Sequence, residues 1–214
     1  MSVFLWQHRL SYVSAPKVAC TSLKHLFFEI ENGYPFRPFL ANAKRYHIHR
    51  FYPGRAFADL PQAHIVDHVR LCAVRDPVER LLSCYANRVV HHRQLHRRRF
   101  TEAMRAAGLK RDPSLEDFVA KLDLYRRHFP ALGHHSRPIV DFLGRDPGWY
   151  HGIYPLRALA GFRAHVEHVV GQAPALAHLQ ADGPKFSSED LSTSVRRRIE
   201  ACYAEDYEIW GRWF

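Results

Sequence analysis

Apolar positions along the chain alternate between short continuous runs and longer stretches at helical spacing. Arg9 to Ser14 is short and rich in β-formers, Pro16 follows, and then Leu23, Leu26, Phe27 and Ile30 recur at the spacing of one buried helix face. Asn32-Gly33 predicts the end of that helix, because both residues tolerate left-handed backbone angles. The same order of strand, loop and helix then repeats. Val69 to Val74 reads as a buried strand, Asp76-Pro77 as a helix start, and Val78, Leu81, Leu82, Tyr85 and Val89 as the apolar face of a helix reaching Val90. Residues 34–64 between these units, with FRPF and RYHIHRFYPG, read as loop with a short strand. Beyond them the pattern predicts a helix from Asp112-Pro113-Ser114 to about Leu124, a strand over Tyr150 to Tyr154, a helix over Leu156 to Val170 and a final helix over Ser192 to Trp210. Strands alternating with helices imply an α/β fold, with a central, mostly parallel sheet flanked by helices and its site at the carboxyl ends of the strands. No repeat or low-complexity tract interrupts the pattern, so residues 1–214 are expected to form a single domain.

Composition narrows the class without naming a function. With 47% hydrophobic and 24% charged residues, the chain is neither disordered nor fibrous. The 31 basic residues exceed the 21 acidic ones by +10, and 16 histidines add positive charge as pH falls. Such a surface suits anionic partners: nucleic acid, anionic lipid, acidic polysaccharide or a phosphorylated cofactor. Cys20, Cys72, Cys84 and Cys202 lack CxxC spacing, so free thiols in a reducing, cytoplasmic setting are expected, with no zinc ribbon and no disulfide framework. The first residues lack a signal-peptide pattern, and no run of about 18 apolar residues predicts a membrane span.

The chemistry concentrates in two βα junctions. The first, Ser14 to Ser22, carries Pro16, Lys17, Val18, Ala19, Cys20, Thr21 and Ser22 where backbone N–H groups and a helix dipole converge on an anion. An ordinary βα turn capped by Thr or Ser is the competing reading. The loop holds no glycine, so it is not the G-x-x-x-x-G-K-[ST] signature of Mg-nucleotide kinases.

PKVACTSLK resembles the first loop of the 3′-phosphoadenosine-5′-phosphosulfate (PAPS) dependent carbohydrate sulfotransferases, and VRDPVERLLSCYAN resembles the 3′-phosphate motif of the same enzymes. Weaker likeness extends through His135 to Leu143, YHGIYPLRAL, KFSSEDL and the terminal YAEDYEIW. The resemblance implies a P-loop nucleotide-kinase-like sulfotransferase fold, PAPS as donor, adenosine 3′,5′-bisphosphate as product, and no metal. It implies Lys17 at the leaving oxygen, Thr21, Ser22 and backbone amides at the 5′-phosphate, and Arg75 with Ser83 at the 3′-phosphate. Lys185 and Ser187 fall in a loop that approaches the cofactor in that family, although Ser187-Ser188 with Glu189-Asp190 also reads as helix-start chemistry. Asp76 reads as a helix start, and Glu79 and Arg80 as ion-pair partners on a helix face. A first strand near residue 10 suggests a compact, bacterial-type member rather than a membrane-anchored Golgi one.

Sulfuryl transfer to a hydroxyl needs a base, and histidine titrates in the useful range. His47 and His49 in Tyr46-His47-Ile48-His49 would share one face of an extended segment, and this YHxH resembles a segment of heparan-type 2-O-sulfotransferases in which a histidine is the base. His49 is therefore the expected base, with His47 beside it. His134, His135 and Arg137 are expected on an acceptor-side wall, the two histidines being the alternative bases. The acceptor implied is a carbohydrate or glycoconjugate, acidic ones included, rather than nucleic acid. The basic stretch His91 to Arg99 reads as a solvated helix face, an acidic-acceptor groove or a nucleic-acid patch. A basic polyanion- or nucleotide-binding protein and a phosphotransferase of related topology remain the competing functions.

Overall fold

The computed structural model describes residues 2–96, 100–177 and 184–214. Its contacts divide the chain into two compact units, the first comprising Met1–Arg75, Ile139–Ala181 and Ile209–Phe214, the second Asp76–Pro138 and Asp182–Glu208.

The first unit is built on a four-stranded sheet in the order β1-β2-β5-β6. Its strands are β1 (Val3–Leu5), β2 (Leu10–Val13), β5 (Val69–Val74) and β6 (Gly152–Pro155). β2, β5 and β6 run parallel, with Val13 beside Cys72 and Cys72 beside Ile153, while β1 is an antiparallel edge. The fold is thus α/β with a mostly parallel sheet. Every residue of β2 is buried, as a strand covered on both faces requires. Tyr12 points into a cluster with Phe27 of α1 (Cys20–Asn32) and Phe162 of the helix Leu159–Val170, at ring-centroid distances of 5.4 and 5.5 Å. Leu23, Leu26 and Phe27, the periodic residues of α1, are buried in this core, and Gly33 closes the helix at φ 77° by donating its N–H to Glu29.

Between α1 and β5 the chain forms more structure than its polar sequence announces. β3 (Phe39–Ala41) and β4 (Lys44–Tyr46) pair as a hairpin, and α2 (Ile48–Phe51) follows directly. Phe39 stacks on Tyr46 across the hairpin, and Phe51 of α2 packs edge-on against Phe28 of α1. These aromatic contacts order a segment expected to be mainly loop.

The second unit is helical. α3 (Pro77–Cys84) starts where Asp76 accepts the N–H of Glu79 and Pro77 takes the first turn, and it runs into a wider π-helical segment, Tyr85–His91. The periodic residues Val78, Leu81, Leu82, Tyr85 and Val89 bury against Phe118, Tyr125, Ile199 and Tyr203. The helix expected from Ser114 is split at Lys121 into Leu115–Ala120 and Leu122–His128, and the terminal helix is split at Tyr203. Arg80 corrects the ion-pair expectation. It is 1% exposed, donates to the carbonyl of Arg137 and lies over the Tyr203 ring. Burial pushes the Tyr203 phenol up to about 12, and its hydroxyl stays a donor to the Ser136 carbonyl.

In the first unit Gly144 adopts φ 78°, its carbonyl accepts the Trp210 indole N–H, and a Cβ there would meet the Phe57 ring at 2.7 Å. Gly144→Ala is therefore expected to destabilise the protein by about 2 kcal/mol or more in a denaturant titration. A change below about 0.5 kcal/mol would show that this packing is not needed.

Candidate active site

The chain leaves β2 at Val13 and enters α1 at Cys20. Between them, the side chains of Ala15 and Val18 are fully buried in the core and Pro16 is buried, so the loop is anchored from below. Lys17 and Ala19 face outward, half-buried, and both have left-handed backbones, φ 66° and φ 47°. A left-handed residue with a Cβ costs about 1–2 kcal/mol, a strain that persists only where surrounding structure imposes it. Ala19 is the residue at the head of α1 and offers no side-chain hydrogen bond to it. Thr21 and Ser22 lie inside the first turn, not at the capping position, so the reading of a simple Thr- or Ser-capped turn does not hold. What remains is the positive end of a 13-residue helix framed by Lys17, Thr21 and Ser22.

Because β2 and β5 are parallel neighbours, the loops that follow them leave the same sheet edge. Arg75, the residue after β5, places its guanidinium 3.5 Å from the carbonyl oxygen of Lys17. The structure thus brings Arg75 to the first loop across 58 positions of sequence.

His49 reaches the same loop from another direction, though not as the expected extended pair. His47 is the exposed residue preceding α2 and His49 lies within its single turn. The alternation of the two histidines is therefore not a strand face, and their rings are 6.1 Å apart at a tilt. Nε2 of His49 is 2.8 Å from Oγ1 of Thr21. Its other ring nitrogen, Nδ1, is 3.4 Å from Nζ of Lys24. Lys24 was not expected here: its side chain is fully buried, Nζ donates to the Tyr52 carbonyl at 2.6 Å, and burial lowers its pKa to about 8. It sits between Leu23 and Leu26 on α1, and its described polar contacts come from α2 and the residue that follows it.

Beyond α2 lies an open cleft of about 540 Å³ bordered by Phe28, Tyr34, Phe39 and Phe51, with Asn32 and Arg37 as polar groups.

The sequence matches the sulfotransferase family over residues 3–148, a span that contains both βα junctions, the hairpin and α2. The chain belongs to the sulfotransferase family. No curated protein and no solved structure matches it closely enough to add to this finding. As a sulfotransferase it is an enzyme of sulfuryl transfer, and the loop, Arg75 and His49 lie in the matched region.

The remaining expected site residues of this sulfotransferase fall in the second unit. Ser83 is half-buried on α3. His134 and His135 end the helix Pro130–Ser136, half-buried with rings 5.1 Å apart, and His135 Nε2 is hydrogen-bonded to Arg88. Arg137 is exposed, and its carbonyl accepts from Arg80. Lys185 and Ser187 are exposed. The Ser187 hydroxyl accepts the N–H of Glu189, but no helix starts there, since Ser192 caps the next one. Of the basic stretch, residues 97–99 lie outside the described residues. Among the described residues no helix is long and apolar enough to cross a membrane.

If the left-handed turn at Ala19 is imposed by its anchors, Ala19→Gly removes the Cβ strain at the cost of a looser unfolded chain. Stability should rise by about 0.5–1 kcal/mol in chemical denaturation. A loss of similar size would show that the Cβ contributes contacts that outweigh the strain.

Proposed function

We propose that this sulfotransferase moves the sulfuryl group of PAPS to a hydroxyl of a carbohydrate or glycoconjugate, releasing adenosine 3′,5′-bisphosphate, with His49 as the base. The observation that carries this reading is the 2.8 Å approach of His49 Nε2 to Thr21 Oγ1, which sets a proton acceptor against the loop assigned to the phosphosulfate. In the transfer the acceptor oxygen bonds to sulfur as its proton moves to His49. The bond from sulfur to the bridging oxygen breaks, and the charge growing on that oxygen is met by the Lys17 ammonium. Thr21, Ser22 and the amides at the head of α1 hold the 5′-phosphate. Arg75 takes the 3′-phosphate, and its approach to the Lys17 carbonyl supports a place beside the first loop. Ser83 shares that role, and Lys185 and Ser187 approach the cofactor, by the resemblance of their motifs. His47 positions the acceptor, and His134, His135 and Arg137 are kept as acceptor contacts on the same ground. The aromatic rings and Arg37 of the open cleft support a sugar, whose apolar faces stack on aromatic rings, and an acidic one in particular. The reading takes residues 1–214 as one sulfotransferase domain working in the cytoplasm.

The test is transfer from labelled PAPS to a panel of neutral and acidic saccharides. Lys17→Ala should lower kcat by more than it raises the donor KM, because the ammonium acts on charge present only in the transition state. A change confined to the donor KM would remove Lys17 from the leaving group.

His49→Ala should lower the rate by about 10²–10⁴ while leaving adenosine 3′,5′-bisphosphate affinity within about twofold, and His47→Ala should cost less. An active His49→Ala beside an inactive, nucleotide-competent His135→Ala would move the base to the helix Pro130–Ser136.

A further inference from the structure

Lys24 lies one helical turn beyond Thr21 on α1, and both face α2. Its side chain is wholly out of solvent, and burial lowers its pKa while Cys20 works in the opposite direction. The titratable groups that its described contacts place around it lie on α1 and on α2 and its ends. They are Cys20 on its own helix, His49 and Tyr52 from α2 and its end, His47 behind His49, and Glu31, which accepts from the Tyr52 phenol. Nζ therefore has two polar partners among its described contacts: the Tyr52 carbonyl, which can only accept, and the Nδ1 of His49, which can do either.

We propose that Lys24 is a positioning residue that decides which nitrogen of His49 carries the ring proton. An ammonium has no lone pair, so a charged Lys24 requires Nδ1 to accept, and the neutral ring must hold its proton on Nε2, the atom facing Thr21. An imidazole in that form has no lone pair to offer on the side of the phosphate loop. As a neutral amine, Nζ still donates to Tyr52 and now accepts Nδ1–H, which frees the Nε2 lone pair for the acceptor. The two residues then work as one proton acceptor. The acceptor O–H proton goes to Nε2, the Nδ1 proton passes to Nζ, the new O–S bond forms, and the bond to the bridging oxygen of the phosphosulfate breaks. The pair ends as an ammonium beside a neutral imidazole. Burial favours this division, because it lowers the Lys24 pKa to about 8, within reach of an enzyme's working pH.

The inference rests on the reading of His49 as base, and the two are separated by comparing variants. In the wild type, kcat should rise with pH through about 8, rather than through the ordinary imidazole value of about 6.5. Lys24→Met should move that limb down by about a pH unit or more and lower the plateau about tenfold, with the donor KM unchanged. Lys24→Arg, whose guanidinium does not lose its proton, should be inactive across the range while still binding adenosine 3′,5′-bisphosphate. A Lys24→Met limb identical to the wild type, beside an inactive His49→Ala, would overturn the role of Lys24 alone. An active His49→Ala would overturn both readings. Should either Lys24 variant fail to fold, nitrogen-15 NMR of the wild-type imidazoles decides, with the His49 signal assigned by its loss in His49→Ala. The ring proton is expected to move from Nε2 to Nδ1 near pH 8, and a single tautomer from pH 7 to 9.5 contradicts the proposal.

Discussion

The candidate site depends first on the parallel pairing of β2 with β5. Parallel neighbours send their following loops out of the same sheet edge, so the pairing of Val13 with Cys72 brings the loop after β2 and Arg75 together. No local preference could do this, since the two segments are far apart in sequence. The pairing is held by burial: β2 is covered along its whole length, and the last four residues of β5 are buried. The loop inherits that rigidity through Ala15 and Val18, which are part of the same core. Left-handed turns at Lys17 and Ala19 are tolerable because those anchors leave the chain no other route.

The second constraint is the aromatic seam joining α1 to the hairpin and α2. Phe28 contacts Phe36, Phe51 and Tyr34, and these contacts set α2 against α1. His49 is brought to Thr21 and Lys24 by this seam rather than by its own four-residue helix, which is too short to hold itself together. The packing that orders His49 also buries Lys24, so the electrostatics around the two follow from the hydrophobic contacts beside them.

Much of this was legible in the sequence, and the misses have physical causes. β2, α1 and β5 have long or continuous apolar patterns that allow one reading, and the structure places them where that pattern does. β1 was missed because three residues ending at a short 3-10 turn carry no period, and its pairing with β2 is a tertiary fact. The YHIH segment alternates polar and apolar residues, which fits a strand equally well. Only the seam against Phe28 makes it a helical turn. Arg80 looked like a surface charge because a buried arginine differs from an exposed one by its partners, here the Arg137 carbonyl and the Tyr203 ring. Lys24 escaped for the same reason. Burial of a polar residue is decided by what packs over it, and its neighbours in sequence do not say.

The central claim is that the loop after β2 and Arg75 form a site for an adenosine nucleotide phosphorylated at both ends. Calorimetric titration of the whole protein with adenosine 3′,5′-bisphosphate, adenosine 5′-phosphate and ATP tests it most directly. The account predicts that the bisphosphate binds at least tenfold more tightly than the other two, and that Arg75→Ala removes this preference, a loss of about 1.5–3 kcal/mol for a hydrogen bond to a charged group. Equal affinity for the bisphosphate and adenosine 5′-phosphate, or tighter binding of ATP, would contradict it.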